Sequence, residues 1–143
     1  MRVVGIDLGS RRIGVAVSDA SATLASPYEV VARSGDVSLD HGRLAAIVNE
    51  MEAGLVVVGL PLSLDGSVGP AAAAALAEVE VLREALDVAV ETHDERFTTV
   101  TADRSMMARK MKAPARRKVV DQVAAAVMLQ GWLDGQAARR ARS

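Results

Sequence analysis

The chain has 143 residues, 50% of them hydrophobic but only three of them aromatic, so one domain with an aliphatic, alanine-rich core is expected. It lacks cysteine, which excludes disulfide bonds, thiolate metal sites and cysteine nucleophiles. The net charge of −1 hides a strong asymmetry, because residues 1–100 carry a charge of −8 and residues 101–143 carry +7.

The first third of the chain is expected to form strands. Val3 to Leu8 is nearly all apolar, and Gly9 to Arg12 indicates a turn before a second strand from Ile13 to Ser18. A third strand is expected within Leu24 to Val31. Pro27 restricts this strand to an edge of the sheet or to a bulge, because proline cannot donate a ladder hydrogen bond.

The middle of the chain alternates helices with strands. After a polar, loop-like segment from Ser34 to Asp40, apolar residues recur at helical spacing between Leu39 and Met51. Leu55 to Gly59 is an uninterrupted apolar run, which is typical of a strand buried on both faces. A helix that begins at Pro70 and a strand from Val88 to Thr92 follow.

The end of the chain is expected to be helical. A helix could begin near Thr98 or Thr99, whereas Pro114 is expected to keep Lys112 to Arg116 in a loop. A last helix is predicted from about Lys118 to Gln136, followed by a basic tail at residues 139–143.

This order of elements predicts one α/β domain over residues 1–138. Three antiparallel strands start a mixed five-stranded sheet, right-handed parallel crossovers continue it, and helices cover both of its faces. In open sheets of this kind, ligands bind beyond the carboxyl ends of the parallel strands.

One carboxylate stands in an unusual place in the first strand. Asp7 shares a strand face with Val3 and Gly5, and a carboxylate in a core sheet is unfavourable unless it is paired or binds a metal. The alternative is an aspartate that caps the turn from Gly9 to Arg12. The strand by itself leaves both interpretations open.

A second carboxylate interrupts the most apolar part of the last helix. From Val119 to Met128 the only polar residues are Asp121 and Gln122, and Asp121 shares a stripe with Ala125 and Met128. A helix that is apolar almost all round is buried, so this carboxylate is expected to face a specific partner. The alternative is an aspartate favoured by the positive end of the helix dipole.

The acidic pair Asp94 and Glu95 is expected to end the fifth strand. Strand alternation sends the two side chains to opposite faces, so only one can enter a given cleft, and Arg96 could pair with either. Of the two histidines, His41 is expected on the surface. His93 is interpreted as an ordinary strand residue near the acids, although a contact with metal-bound groups or phosphate is the alternative.

Acids at the ends of strands one and five and at the start of the last helix can converge if the sheet is wound as predicted. Clustered carboxylates resist joint ionisation, and a divalent cation relieves that repulsion. A set of oxygen ligands without cysteine favours Mg²⁺ or Mn²⁺. Two such ions could stabilise the attacking and leaving oxygens of a phosphodiester displacement.

A basic segment precedes Asp121. Residues 104–118 contain seven cations and no acid, which favours contact with a phosphate backbone over a plain solvated surface. The segment has no aromatic residue to stack on bases, so sequence-specific recognition is not expected. The residues assigned to nucleic-acid binding are Arg12, Arg96, Arg109, Lys110, Lys112, Arg116, Arg117 and Lys118.

Four motifs, in order along nearly the whole chain, resemble the YqgF/RuvX family. They are Gly5 to Gly9 with Arg12 to Ala16, Gly59 to Pro61 with Asp65-Gly66, Asp94 to Val100, and Val120 to Gln122 with Leu129-Gln130. The resemblance implies a ribonuclease H-like fold and a metal-dependent nuclease that uses Mg²⁺ or Mn²⁺, with two ions expected. It also implies that Asp7, Glu95 and Asp121 are the catalytic and metal-binding residues, which selects Glu95 over Asp94.

Family members are described as nucleases of the pre-16S ribosomal RNA or as Holliday-junction resolvases. The resemblance therefore predicts cleavage of structured nucleic acid, with processing of the pre-16S rRNA 5′ end placed first and resolution of four-way DNA junctions as the alternative. Two remoter alternatives are an ATPase of the actin-like fold, which would need two such domains, and a nucleic-acid-binding module without catalysis.

The surroundings of the protein follow from composition. A cysteine-free chain is typical of a reducing compartment, and neither a signal segment nor a membrane-spanning stretch is expected. We therefore expect a cytoplasmic protein that binds RNA or branched DNA, does not contact a membrane, and acts as a monomer or homodimer.

Overall fold

The computed structural model describes residues 1–97 and 113–142, and it describes the backbone alone for residues 97 and 113–122. Within these residues the chain forms a five-stranded sheet in the order β3-β2-β1-β4-β5. The first three strands pair antiparallel, and β4 and β5 run parallel to β1, so the predicted mixed sheet is confirmed. The strands are β1 (Val3–Leu8), β2 (Arg12–Ser18), β3 (Ala25–Ala32), β4 (Leu55–Leu60) and β5 (Ala89–Asp94).

Helices cover both faces of the sheet. α1 (Val37–Glu50) and α2 (Pro70–Ala85) pack on one face, which is the helix-pair face. α3 (Ala113–Arg142) packs on the other, which is the α3 face. None of the helices in the described part of the chain is both long and apolar enough to cross a membrane.

Strand alternation divides the core into two clusters. Val4 and Ile6 of β1 point to the helix-pair face, where they join Leu44, Ile47 and Leu82. On the α3 face, Val3 and Val57 pack with Ala125, Met128 and Leu129.

Gly5 belongs to the same face of β1 as Val3. A Cβ atom at Gly5 would lie 2.8 Å from Leu129 Cβ, so glycine lets α3 lie directly on the strand.

The third strand has the restricted position that proline predicts. β3 is an edge strand, and its register against β2 shifts between Val15 and Ala16, where Ala16 faces Pro27. Because Pro27 lies at a bulge in an edge strand, its missing peptide N–H does not cost a hydrogen bond between central strands.

Both ends of the last helix differ from the predictions. α3 begins at Ala113, so the loop predicted around Pro114 and the helix start at Lys118 are wrong. Proline is tolerated in the first turn of a helix because the amide it lacks would have no helical partner there. α3 also continues through residues 139–142, which belong to the stretch predicted as a basic tail.

The first helix also starts earlier than expected. α1 begins at Val37, because Asp36 caps it by accepting hydrogen bonds from the amides of Ser38 and Leu39. Asp40, predicted in a loop, therefore lies inside the helix and is buried. The helix start considered at Thr98 or Thr99 lies outside the described residues.

Candidate active site

A cleft of about 420 Å³ opens at the carboxyl end of the parallel strands. Asp7 and Glu95 both line it, together with Gly59 and Arg12. The cleft is where ligands are expected in an open α/β sheet, and the structure brings two of the three predicted acids into it.

Asp7 is a buried carboxylate on the α3 face. It follows Val3 and Gly5 on that face of β1 and is 8% exposed. Ile6 pairs with Val58 of β4, so the register carries Asp7 to the level of Gly59. The peptide N–H of Gly9 donates to the Asp7 carbonyl at 3.1 Å, which ties the loop after β1 to the end of the strand.

Glu95 reaches the same place from β5. β5 ends at Asp94, and Glu95 opens a short 3-10 turn (Glu95–Phe97), so the prediction that both acids belong to the strand is wrong. A Cβ atom on Gly59 would lie 2.6 Å from Glu95 Oε1 and 2.9 Å from Met128 Cγ. Glycine at position 59 is therefore what allows the Glu95 carboxylate and α3 to approach β4 so closely.

Asp94 has a different partner. Its carboxylate accepts hydrogen bonds from Arg96 Nη2 at 2.6 Å and Nε at 2.9 Å, and from the Arg96 peptide N–H at 2.9 Å. These bonds hold the pKa of Asp94 below its usual range. Arg96 Nη1 also donates to the carbonyl of Leu64 in the loop after β4, so its guanidinium is engaged within the protein.

The third predicted acid, Asp121, lies in α3 among residues described by backbone alone. It is seven residues before Met128, which is two helical turns, so both positions fall on the same side of the helix. Met128 itself packs against Gly59 and is fully buried.

The predicted nucleic-acid contacts other than Arg96 divide into three groups. Arg12 lines the cleft with the acids, at the start of β2. Arg116, Arg117 and Lys118 lie in the first turns of α3, where the structure describes the backbone. Outside the described residues lie Arg109, Lys110 and Lys112.

The two histidines differ in position and in burial. His93 faces α3 from β5 at the level of Gly59, and burial lowers its pKa. His41, predicted on the surface, is buried, because it lies on the apolar side of α1 with Leu44.

Sequence reasoning missed a partly buried ion network on the helix-pair face. Arg33, just after β3, forms two hydrogen bonds with Glu78 of α2, at 2.7 and 2.8 Å. His41 Nε2 lies 2.8 Å from Glu78 Oε2. A signal was present in the sequence, because Glu78 lies on the buried stripe of Ala75, Val79 and Leu82.

The residues in the cleft fit a hard divalent cation. Asp7 and Glu95 supply carboxylate oxygens, the ligands that Mg²⁺ and Mn²⁺ prefer. Among the side chains that the structure describes, no three histidine, cysteine or acidic residues meet as a metal site. The described part thus contributes a pair of acids, and a third ligand would have to come from elsewhere.

A sequence model of one protein family matches residues 1–135 of this chain, and its description is "RuvX: Holliday junction resolvase". The chain belongs to the RuvX family. The family expected from the four motifs is thereby confirmed, and membership of a nuclease family makes the chain a hydrolase of phosphodiester bonds.

Curated relatives cover nearly the whole chain. A protein of Nocardia farcinica named "Putative pre-16S rRNA nuclease" is 50% identical over an alignment 143 positions long, which covers 96% of this chain and 79% of the relative. Proteins of the same name from Myxococcus xanthus and Thermoanaerobacter pseudethanolicus are 45% and 40% identical. These matches cover 94% and 95% of this chain, and 88% and 98% of the relatives.

Solved structures of RuvC from Thermus thermophilus share the fold. One, in complex with a Holliday junction substrate, has a TM-score of 0.55 at 19% identity, and the match covers 96% of both chains. A second RuvC structure has a TM-score of 0.54 at 20% identity, covering 96% of this chain and 97% of the other. The predicted ribonuclease H-like α/β fold is thus confirmed.

Proposed function

We propose that this protein is a divalent-metal-dependent nuclease that processes the 5′ end of the pre-16S ribosomal RNA. The observation that carries the proposal is the meeting of Asp7 and Glu95 in one cleft at the carboxyl end of the sheet. The mutual repulsion of two acids that share a cleft is relieved when a divalent cation binds between them.

Asp7 and Glu95 are proposed as metal ligands, and Asp121 as the third. The support for Asp121 is its place on the side of α3 that carries Met128, whose side chain packs beside Glu95 at Gly59. Two turns of helix separate positions 121 and 128, a rise of about 10 Å, so the start of α3 brings an acid to the region of the cleft. Bound Mg²⁺ or Mn²⁺, with two ions proposed, would activate water and stabilise the charge that develops on the phosphate.

Cationic side chains are proposed to hold the substrate by its phosphates. Arg12 lies in the cleft beside the acids and can neutralise a phosphate there. The basic segment from residue 104 to residue 118 lies just ahead of Asp121 in the chain and would extend that contact along the backbone. Arg96 is proposed as a weaker contact, because its guanidinium already binds Asp94 and the Leu64 carbonyl.

RNA is favoured over a four-way DNA junction as the substrate. The curated relatives at 40–50% identity are named for the pre-16S rRNA. The RuvC structures are only about 20% identical to this chain, so they support the fold alone. Junction resolution is the second candidate, and it is the description of the family model that favours it. We further propose a cytoplasmic protein, on the basis of its cysteine-free sequence.

A side-by-side cleavage assay tests the function. Purified protein with Mn²⁺ or Mg²⁺ is given a pre-16S rRNA fragment that includes the 5′ extension, a four-way DNA junction and linear duplex DNA, each labelled at one end. We expect metal-dependent cleavage of the RNA near the mature 5′ end. Faster cleavage of the junction, at paired positions on opposite strands and by a dimer, would instead support the resolvase. Absence of cleavage of all three would refute the proposal.

A further inference from the structure

The loop that follows Asp7 is held from behind by one arginine. Arg33 Nε donates to the Gly9 carbonyl at 3.0 Å, and the Arg33 peptide N–H donates to the Arg11 carbonyl at 2.9 Å. The β1–β2 loop, residues 9–11, is thus bonded at both ends to the residue that follows β3.

The guanidinium of Arg33 is itself fixed on two sides. Glu78 of α2 accepts from both of its terminal nitrogens, and this carboxylate also bonds to His41 of α1. The side chains are 17%, 16% and 2% exposed for Arg33, Glu78 and His41. Burial raises the pKa of Glu78, but the bonds from Arg33 and His41 outweigh this effect, and the pKa lies below its usual range.

An open pocket separates part of this loop from α2. A cavity of about 430 Å³ lies behind it, lined by Leu8, Gly9 and Ser10 of the loop side and by Ala71, Ala74 and Ala75 of α2. Arg33 and Glu78 line the same cavity. Leu8 packs against the core on this side, and the bonds from Arg33 hold the loop residues that follow it.

The loop is coupled closely to the cleft. The Gly9 N–H bonds to the Asp7 carbonyl, and an added Cβ on Gly9 would collide with the carbonyl of Arg12. A displacement of Gly9 therefore has to move Asp7, Arg12 or both. Leu8, Gly9 and Ser10 line the cleft as well as the cavity, so they are the wall between the two.

We propose that Arg33 is a positioning residue, which, together with Glu78 and His41, fixes the β1–β2 loop and thereby the orientation of the Asp7 carboxylate. The inference rests on the proposed function, because it takes Asp7 as a ligand of the catalytic metal. It links the helix-pair face of the sheet to the chemistry at the end of β1.

The test compares Arg33→Lys with Arg43→Lys. Lysine keeps the charge at position 33 but cannot bond to both oxygens of Glu78 and to the Gly9 carbonyl in one geometry. Arg43 is the matched control, since it binds Glu29 through two hydrogen bonds from α1 and does not line the cleft. Glu78→Gln, which keeps the shape of the side chain, is a second variant in case Arg33→Lys folds poorly.

Three readouts are measured well below the melting temperature of each variant. For Arg33→Lys we expect kcat to fall by about 10- to 100-fold with KM nearly unchanged, because a small misplacement of a reacting group has effects of that size. The dissociation constant for Mn²⁺, measured by electron paramagnetic resonance, is expected to rise about tenfold or more. Amide hydrogen exchange of residues 9–12 is expected to accelerate, and none of the three changes is expected in Arg43→Lys.

The outcomes separate the inference from the function on which it rests. The positioning role would be overturned if the folded Arg33→Lys and Glu78→Gln proteins kept the wild-type kcat, the wild-type Mn²⁺ affinity and the wild-type exchange rate at residues 9–12. A fall in melting temperature alone, with kcat and Mn²⁺ affinity intact, would also overturn it, because it would show a purely structural pair. Faster loop exchange and weaker Mn²⁺ binding in a protein whose wild type cleaves no nucleic acid would support the positioning of Asp7 and refute the nuclease.

Discussion

Acidic side chains lie in different settings on the two faces of the sheet. On the helix-pair face, Glu78 is held between Arg33 and His41, and its charge is balanced within the protein. On the α3 face, Asp7 and Glu95 line one cleft together, so like charges are brought towards each other. The same contrast recurs between neighbours in sequence, because Asp94 binds Arg96 while Glu95 turns to the cleft.

We propose that this difference separates acids that serve folding from acids that serve the reaction. A carboxylate that is paired within the protein needs no ligand to balance its charge. Acids that share a cleft stabilise the native state most when a cation is bound between them. Close packing on the α3 face depends on Gly5 and Gly59, which let a single helix and one carboxylate lie against the strands. Substitutions of Asp7 and Glu95 should therefore impair cleavage directly, whereas substitutions of Arg33 or Glu78 should act on cleavage only through the β1–β2 loop.

The largest expected effect is at the three proposed ligands. Asp7→Asn, Glu95→Gln and Asp121→Asn are each expected to lower kcat by more than about 1000-fold, since loss of a metal ligand removes several kcal/mol of transition-state stabilisation. The triple variant should be about as impaired as each single one, because residues that act as a unit are not additive. Single-turnover cleavage rates check this, and losses that multiply would point to separate roles.

Metal-free stability gives the control for these variants. Asp7→Asn should keep or raise the melting temperature without metal, because it removes repulsion with Glu95. A large fall would mean that Asp7 is needed for folding and would count against its role as a metal ligand.

The next largest effect is expected on substrate binding. Neutralising Arg116, Arg117 and Lys118 together should weaken affinity for RNA and DNA by similar factors. It should also reduce the salt dependence by about one unit of log-log slope for each phosphate that is no longer neutralised. The rate at saturating substrate should change little, since these residues are not proposed to touch the metal. Affinities across a salt series check the prediction, and unchanged slopes would remove the basic segment from the interface.

A smaller effect is expected when an alanine replaces a glycine that is tightly packed at the cleft, compared with a glycine in open space. Gly59→Ala places a Cβ against Glu95 and Met128 and should lower the free energy of unfolding by about 1–3 kcal/mol, with a loss of cleavage as Glu95 is displaced. Gly42→Ala is the control, because that glycine lies inside α1 with open space around it and should gain about 0.5–1 kcal/mol. Chemical denaturation checks both, and a Gly59→Ala protein with full stability and activity would contradict the described packing.

The smallest effect is expected at Asp94. Asp94→Asn should leave the cleavage rate close to that of the wild type, because the Asp94 carboxylate is hydrogen-bonded to Arg96 and is not proposed as a metal ligand. The pKa of Asp94 is lowered in the folded protein, so its contribution to stability is present above the ordinary aspartate pKa and is lost as the pH falls through the folded value. Melting temperatures of the two proteins should therefore differ slightly at neutral pH and converge in acid. A gap that widens in acid would contradict this pairing.

Much of the fold and part of the site follow from sequence pattern alone. The apolar run of β4, the edge position of Pro27 and the unusual carboxylate at Asp7 could be predicted because each depends on local chemistry. The choice between Asp94 and Glu95 could not be made from strand alternation. It depends on where β5 ends and on the absence of a side chain at Gly59, which lies far away in sequence on the neighbouring strand.

The sequence places Glu78 on the buried stripe of α2, but its pairing with Arg33 and His41 could not be predicted, for a related reason. The members of this ion network come from the end of β3 and from two helices, and only the packed structure brings them together. The predicted start of α3 was wrong because proline breaks a helix in its interior but not in its first turn.

Binding of Mn²⁺ to the metal-free protein tests the central claim most directly, since it does not depend on the choice of substrate. Electron paramagnetic resonance titrations compare the wild type with Asp7→Asn and with the neighbouring control Asp94→Asn. If Asp7 and Glu95 form a metal site, the wild type and Asp94→Asn bind Mn²⁺ with similar affinity, and Asp7→Asn loses at least one bound ion. Equal Mn²⁺ binding by the wild type and Asp7→Asn would contradict the account.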